Sequence, residues 1–424
     1  MVAPHHIAAP ASYICGWCSL FGGLMTSSVM SATVAGLINA ALIVSHGTPY
    51  SISQQVGVAI ASLVGMASIN IFRIDEIGMV STAMGGIHCA TLVILGIALL
   101  SLTPQLNHAN HVFFNFNNDT GFTDPSYVSA IGLLAPAFIF AGYDASAQMA
   151  EETVQSSTNS PLGIITAVVT AGVCGLFVIL SLLFATTDID AIVHGATDFP
   201  LFNIFMTYLP HKWACALCWL VVINVFFSIM SWVAVTTRRV YALARDDGLP
   251  FSSRLLYLEP HFQSPIACTL FVVLFASLFL LFLLNSNLSV AYYAMVSLSV
   301  IALYISYAIP IVLRIIFMPS DLLAGRFSLG RLSIPMGLIS CIWLLGIATL
   351  GFLPTTHPIS IANMNWSVVV AVGYAFLAYL NWMVYSRRYF EGPKLLGESI
   401  NETPSGELSS PASPPLIVTT QVSL

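Results

Sequence analysis

No Asp, Glu, Lys or Arg occurs in this chain before Arg73, and none occurs across residues 260–313 or 332–386. Uncharged stretches of that length do not suit soluble helices, which keep a charged face toward water. They suit hydrocarbon, where about twenty apolar residues span a bilayer. Only 7% of the 424 residues are charged and 57% are hydrophobic, whereas a soluble domain carries about 25% charge. Counting domains by length therefore has no force here. One polytopic, all-α integral membrane domain is expected over 1–390, followed by a disordered cytosolic tail over 391–424, rich in Pro, Ser, Thr and Glu. Met1 to Pro10 carries no Lys or Arg, so a secretory signal peptide is not expected. No basic stripe suits nucleic acid, and that class of partner is set aside.

Cutting the apolar runs at polar and Pro/Gly clusters predicts about ten transmembrane helices. They fall near 13–44, 50–72, 77–102, 127–150, 162–186, 211–236, 263–284, 289–316, 333–353 and 366–386. Two of the cuts rest on short clusters, Asn285-Ser286-Asn287 and Pro354 to Pro358. Assigning alternate loops to alternate sides places eleven of the twelve basic residues on one face and leaves Lys212 alone on the other. Cytosolic loops collect Lys and Arg, so that face and both termini are expected in the cytosol; the plasma membrane is the expected residence. The other face receives 103–126, 187–210, 285–288 and 354–365, and with them the sequon Asn118-Asp119-Thr120. A second sequon, Asn401-Glu402-Thr403, falls in the cytosolic tail and is expected to be silent.

Within this scheme Tyr127 to Pro161 stands out, because a span carries Pro136, Gly142 and a lone acid, Asp144, before the polar exit at Glu151-Glu152. An Asp at mid-membrane costs about 2.5–3.5 kcal/mol on insertion scales, so such residues face the protein interior or a wet cavity. Pro and Gly loosen helical hydrogen bonding, which lipid cannot repair. A broken helix whose freed backbone groups and carboxyl line a central site is expected; a kinked structural helix with a satisfied Asp is the alternative.

Other features read more plainly. Thr236 to Ser252, TTRRVYALARDDGLPFS, reads as topology-setting charge at a helix end. His88 reads as an interior, hydrogen-bonded histidine, and Gly22, Gly23, Ser27, Ser28, Ser31, Ala32, Ala35 and Gly36 as a stripe for close helix packing. The CxxC pairs Cys15/Cys18 and Cys215/Cys218 fall at opposite ends of the bundle and cannot share a metal, so the eight cysteines are expected to be free thiols. No nucleophile elbow, Gly-rich phosphate loop or HExxH occurs, and neither an enzyme nor a metal or cofactor site is expected.

The runs GLLAPAFIFAGYDASAQMAEET, Asn159-Ser160-Pro161, ARDDGLPFS and CGWCSLFG resemble the fungal amino-acid, GABA and choline permeases of the amino-acid/polyamine/organocation (APC) superfamily, from about Ser12 to Arg388. The resemblance implies an inverted-repeat APC fold and proton-coupled or facilitated transport of a small-molecule amino acid or amine by alternating access. It implies a substrate site at Phe138, Phe140, Ala141, Gly142, Tyr143 and Asp144, with Phe138 and Phe140 capping substrate and Gly142 supplying the break. Asn224 and Ser228, one helical turn apart, would complete the wall. In such permeases the segment similar to Cys15 to Gly22 opens the third helix, so an N-terminally truncated permease is expected. Without the first broken helix, Asp144 and unpaired backbone groups would face an open groove and transport would be poor. A non-transporting membrane protein, acting as a regulatory partner or inactive product, is the rival expectation.

Overall fold

The computed structural model describes residues 4–72, 74–151, 153–260, 264–284, 288–317, 329–360 and 364–392. Among these residues every regular element is helical, and nine helices are long and apolar enough to cross a membrane. The long elements are α1 (His5–His46), α2 (Ile52–Ile69) and α3 (Ile74–Leu102). An interrupted span follows as α4 (Pro125–Gly132), α5 (Leu134–Ile139) and α6 (Ala145–Gln148). Then come α7 (Ser156–Ala185), the short α8 (Pro200–Tyr208) and α9 (His211–Arg245). Last are α10 (Ile266–Leu281), α11 (Leu288–Phe317), α12 (Ser333–Leu350) and α13 (Ser367–Asn381), the last running through a π turn, Trp382–Ser386, to Tyr389.

Helices lie at the positions where the spans were expected, with three differences that matter. The 127–150 span is three short helices rather than one. α1 begins at His5 rather than near residue 13. α9 continues to Arg245, so Arg238, Arg239 and Arg245 belong to a helix and not to a loop. Expectations for Arg73, Asn285-Ser286-Asn287, Arg326, Lys394, Asn401 and the tail beyond Gly392 lie outside the described residues.

α1 runs through the middle of the bundle, packed along its length on α9 and α11 and also on α2 and α10. Its small residues make that possible. A Cβ at Gly22 would stand 2.6 Å from the Leu303 side chain, and one at Gly23 would stand 2.9 Å from Arg239 Nη1. Hydroxyls on and beside the stripe turn back on their own helix, Thr26 to Gly22 O at 2.7 Å, Ser27 to Gly23 O at 2.9 Å and Ser31 to Ser27 O at 2.8 Å. Buried polar groups are thereby satisfied without water. On the periphery the logic reverses: α7 and α13 expose large apolar side chains such as Val169, Val173, Leu176, Val372, Phe376 and Leu377. An apolar shell of that kind is what a bilayer solvates and water does not.

Loops that the charge pattern assigns to one side meet at one end of the bundle. His357 N donates to Thr120 O at 2.8 Å, Tyr127 OH to Pro354 O at 2.8 Å, and Asn107 N to Phe184 O at 2.8 Å. At the opposite end the Gly248 carbonyl accepts from Trp17 Nε1, Asn381 Nδ2 and Ser386 Oγ, tying α1, the end of α9 and the end of α13 together.

Candidate functional site: a broken helix closed by a buried ion pair

Phe140 to Asp144 runs as turns between α5 and α6, and Gly142 adopts φ +89°. That conformation is free to glycine and strained for other residues. The glycine is also required sterically, since a Cβ there would come within 2.7 Å of the Trp232 indole. A break frees backbone groups, and two tyrosines one helical turn apart on α11 take them up. Tyr304 OH donates to Ala137 O at 2.8 Å, while Tyr307 OH accepts from Gly142 N at 3.2 Å.

Tyr307 OH in turn donates to Asp144 Oδ1 at 2.6 Å. Asp144 Oδ2 accepts from Arg239 Nη2 at 2.9 Å and from Gln148 Nε2 at 3.1 Å. Both charged residues are inside the protein, Asp144 7% and Arg239 4% exposed. Arg239 Nη1 reaches Ser19 O at 3.4 Å, and the guanidinium carbon lies 5.9 Å from the Trp232 ring centre. Around it Arg239 Nε, Thr236 Oγ1 and Ser19 Oγ are buried with no hydrogen-bond partner among the described residues. A charge-assisted pair held by three helices therefore closes the break on the α1 and α9 side.

Two expectations change. Arg239 is not a topology-setting charge in water; it is the counter-ion of Asp144. Nor does Asp144 face an open groove with unpaired backbone groups, because α9 and α11 of this same chain supply its partners. The surface pair Arg245 Nη1 to Glu151 Oε1, at 2.9 Å, continues the link between the exit of α6 and α9. Glu151 is largely exposed there, and pairs of that kind contribute about 0–1 kcal/mol.

The other predicted residues are distributed around this centre. Tyr143 lies against Tyr307 with ring centres 4.8 Å apart. Ala141 and Phe138 are half-buried at the core clusters around the break, and a Cβ on Gly172 of α7 would stand 3.8 Å from the Phe140 ring. Ser228 and Asn224 sit on the Trp232 face of α9, farther from Arg239. Ser228 Oγ lies 3.0 Å from His88 Nε2 and donates to Asn224 O at 3.3 Å, and His88 Nδ1 lies 2.6 Å from Met84 O. His88 is thus the hydrogen-bonded histidine expected. Arg239, Tyr304, Tyr307, Trp232 and Gln148 were not anticipated. For Arg239 the signal was present: Asn224, Ser228, Trp232, Thr236 and Arg239 recur at helical spacing, which puts them on one face once α9 is allowed to continue past residue 236.

A bundle of apolar helices with one span broken around a buried carboxylate is an arrangement that membrane transporters use. The chain matches the amino acid permease family over residues 3–374 and belongs to it. Amino-acid permease BAT1 of Arabidopsis thaliana is 29% identical over 409 residues, covering 93% of this chain and 79% of that protein. A putative amino acid/polyamine transporter of Macrophomina phaseolina is 29% identical over 382 residues, covering 87% and 82%. Amino-acid permease 2 of Neurospora crassa is 26% identical over 406 residues, covering 92% and 72%.

Proposed function

We propose that the chain carries amino acids or related small amines, GABA and choline among them, through the plasma membrane by alternating access, with protons as coupling ions. The observation that carries this is the Asp144–Arg239 pair across the break. For the path to open on that side, α6 must leave α9, and the pair must part. Separating two buried charges is costly unless something replaces a partner. A proton on Asp144, or the ammonium group of a substrate, is such a replacement. Opening is thereby coupled to what binds. Gly142, with Trp232 seated against it, is the hinge at which α6 swings; Phe138, Phe140, Ala141 and Tyr143 line the path beside it, and Asn224 and Ser228 extend its wall along α9. Membrane sidedness follows the charge pattern, with the arginine-bearing end and both termini in the cytosol.

Purified protein in vesicles tests this with radiolabelled amino acids, GABA and choline under an imposed proton gradient. Saturable, gradient-dependent uptake is expected, reduced at least about tenfold in Asp144→Asn, a loss of roughly 1.4 kcal/mol in transition-state stabilisation. Absence of saturable uptake, both by this chain and by a version carrying two family-type helices ahead of it, would overturn the proposal. Sidedness has a separate readout. Asn118, exposed in the loop between α3 and α4, should take a glycan in eukaryotic cells that is lost in Asn118→Gln; tags at both termini should be protected from added protease in sealed cells, and their digestion would reverse the orientation.

A further inference from the structure

A cavity of about 710 Å³ lies between α1, α2, the segment 193–200 and the start of α11. It is well apart from the Asp144 site: Gly36 in its wall is thirteen residues along α1 from Gly23 at the ion pair, about 20 Å at 1.5 Å per residue. Its size is that of a small-molecule site. The wall toward α1 is made smooth by Ala32, Ala35, Gly36 and Ala40.

The opposite wall is preformed. Asn203, 3% exposed, pins segment 193–200 by donating from Nδ2 to Ile192 O at 2.9 Å and Thr197 O at 2.8 Å. Its Oδ1 accepts from Thr197 N at 3.0 Å and Thr197 Oγ1 at 2.8 Å. The segment's Phe199 ring closes on Gly36, where a Cβ would stand only 2.7 Å away. Asp198, between these two anchors, is thereby held in the cavity lining. Across from it Tyr292 is fixed by its hydroxyl, 2.8 Å from Thr33 Oγ1, and packs edge-on against Tyr293 with ring centres 5.7 Å apart.

Among the described residues the lining therefore has one formal charge, the Asp198 carboxylate, no Lys, Arg or His, and three aromatic rings. Negative charge and ring faces together attract an ammonium group. An anion meets only repulsion from Asp198. A calcium-like metal ion needs six or more oxygens, and the nearby Asn39 Oδ1 already accepts from Tyr50 N at 2.6 Å. We infer that this cavity is a second binding site, for a small organic monocation of the ammonium class, built on Asp198, Phe199, Tyr292 and Tyr293. The inference concerns equilibrium binding and stands whether or not the broken helix transports.

The test is equilibrium binding of radiolabelled tetramethylammonium to the full chain in nanodiscs. Saturable binding is expected, displaced by methylammonium and unaffected by acetate. Asp198→Asn should weaken it at least about fivefold, as loss of a charge contact or of a cation–π contact near 1 kcal/mol does; Tyr293→Ala should act in the same direction, and Asp198→Glu should retain binding. Both positions are exposed, so folding is expected to survive, and an unchanged thermal transition checks it. No saturable binding, or equal affinity in Asp198→Asn, would overturn the assignment, the latter by placing the cation elsewhere in the chain.

Discussion

Arg239→Gln is expected to destabilise the folded protein by about 3–5 kcal/mol, the cost of leaving a buried carboxylate without its counter-ion. Asp144 is enclosed by α1, α9 and α11, so water cannot take the guanidinium's place without repacking. Asp144→Asn should be costly for the complementary reason, with Arg239 left charged inside the bundle. The double variant Asp144→Asn/Arg239→Gln removes both charges and should recover much of the loss, since uncharged polar groups are far less expensive to bury. Chemical or thermal unfolding of the four proteins in one detergent measures this as a coupling energy. Single variants within about 1 kcal/mol of the parent, or strictly additive effects, would show that the 2.9 Å contact holds nothing together.

Gly142→Ala carries the second large effect. The residue sits at φ +89°, where a side chain is strained, and its new Cβ would meet the Trp232 ring at 2.7 Å. Strain of about 1–3 kcal/mol and overpacking of a similar size act together. The chain can relieve them by straightening the turn, but that pulls Gly142 N from Tyr307 OH and shifts Asp144, whose other oxygen is bound to Arg239. Saturable uptake is expected to fall below detection while the protein still reaches the membrane. Shrinking the neighbour, as Gly142→Ala/Trp232→Leu, should restore part of the stability by removing the clash, but not the backbone strain. Wild-type uptake and wild-type melting in Gly142→Ala would show that the turn does not depend on glycine.

Several features were legible from residue order alone because their causes are local. The break at Gly142 was foreseen from a proline, a glycine and a carboxylate sharing one apolar run. The small-residue stripe of α1 was foreseen as a packing surface, and Gly22 and Gly23 do lie where Leu303 and Arg239 approach. His88 was foreseen as an interior hydrogen-bonded group and lies 3.0 Å from Ser228 Oγ. Arg239 went the other way. Its neighbours Arg238, Arg245, Asp246 and Asp247 make the stretch look like a solvated helix end, and only the continuation of α9 beside the broken span brings the Arg239 guanidinium to Asp144.

Membrane residence and the all-helical class were decided by composition and by the lengths of uncharged runs, because hydrocarbon demands that every backbone polar group be satisfied within a segment, and helices do so. Family membership was likewise carried by short runs of residues. The identity of Asp144's partners was decided only in three dimensions: Arg239 is 95 positions away and Tyr307 is 163, separations over which no periodicity carries information. Charge alone does not choose among the arginines. The crossing of α1 on α9 at Gly23 does, since it brings one guanidinium beneath the broken helix and shuts out the water that would otherwise have solvated it.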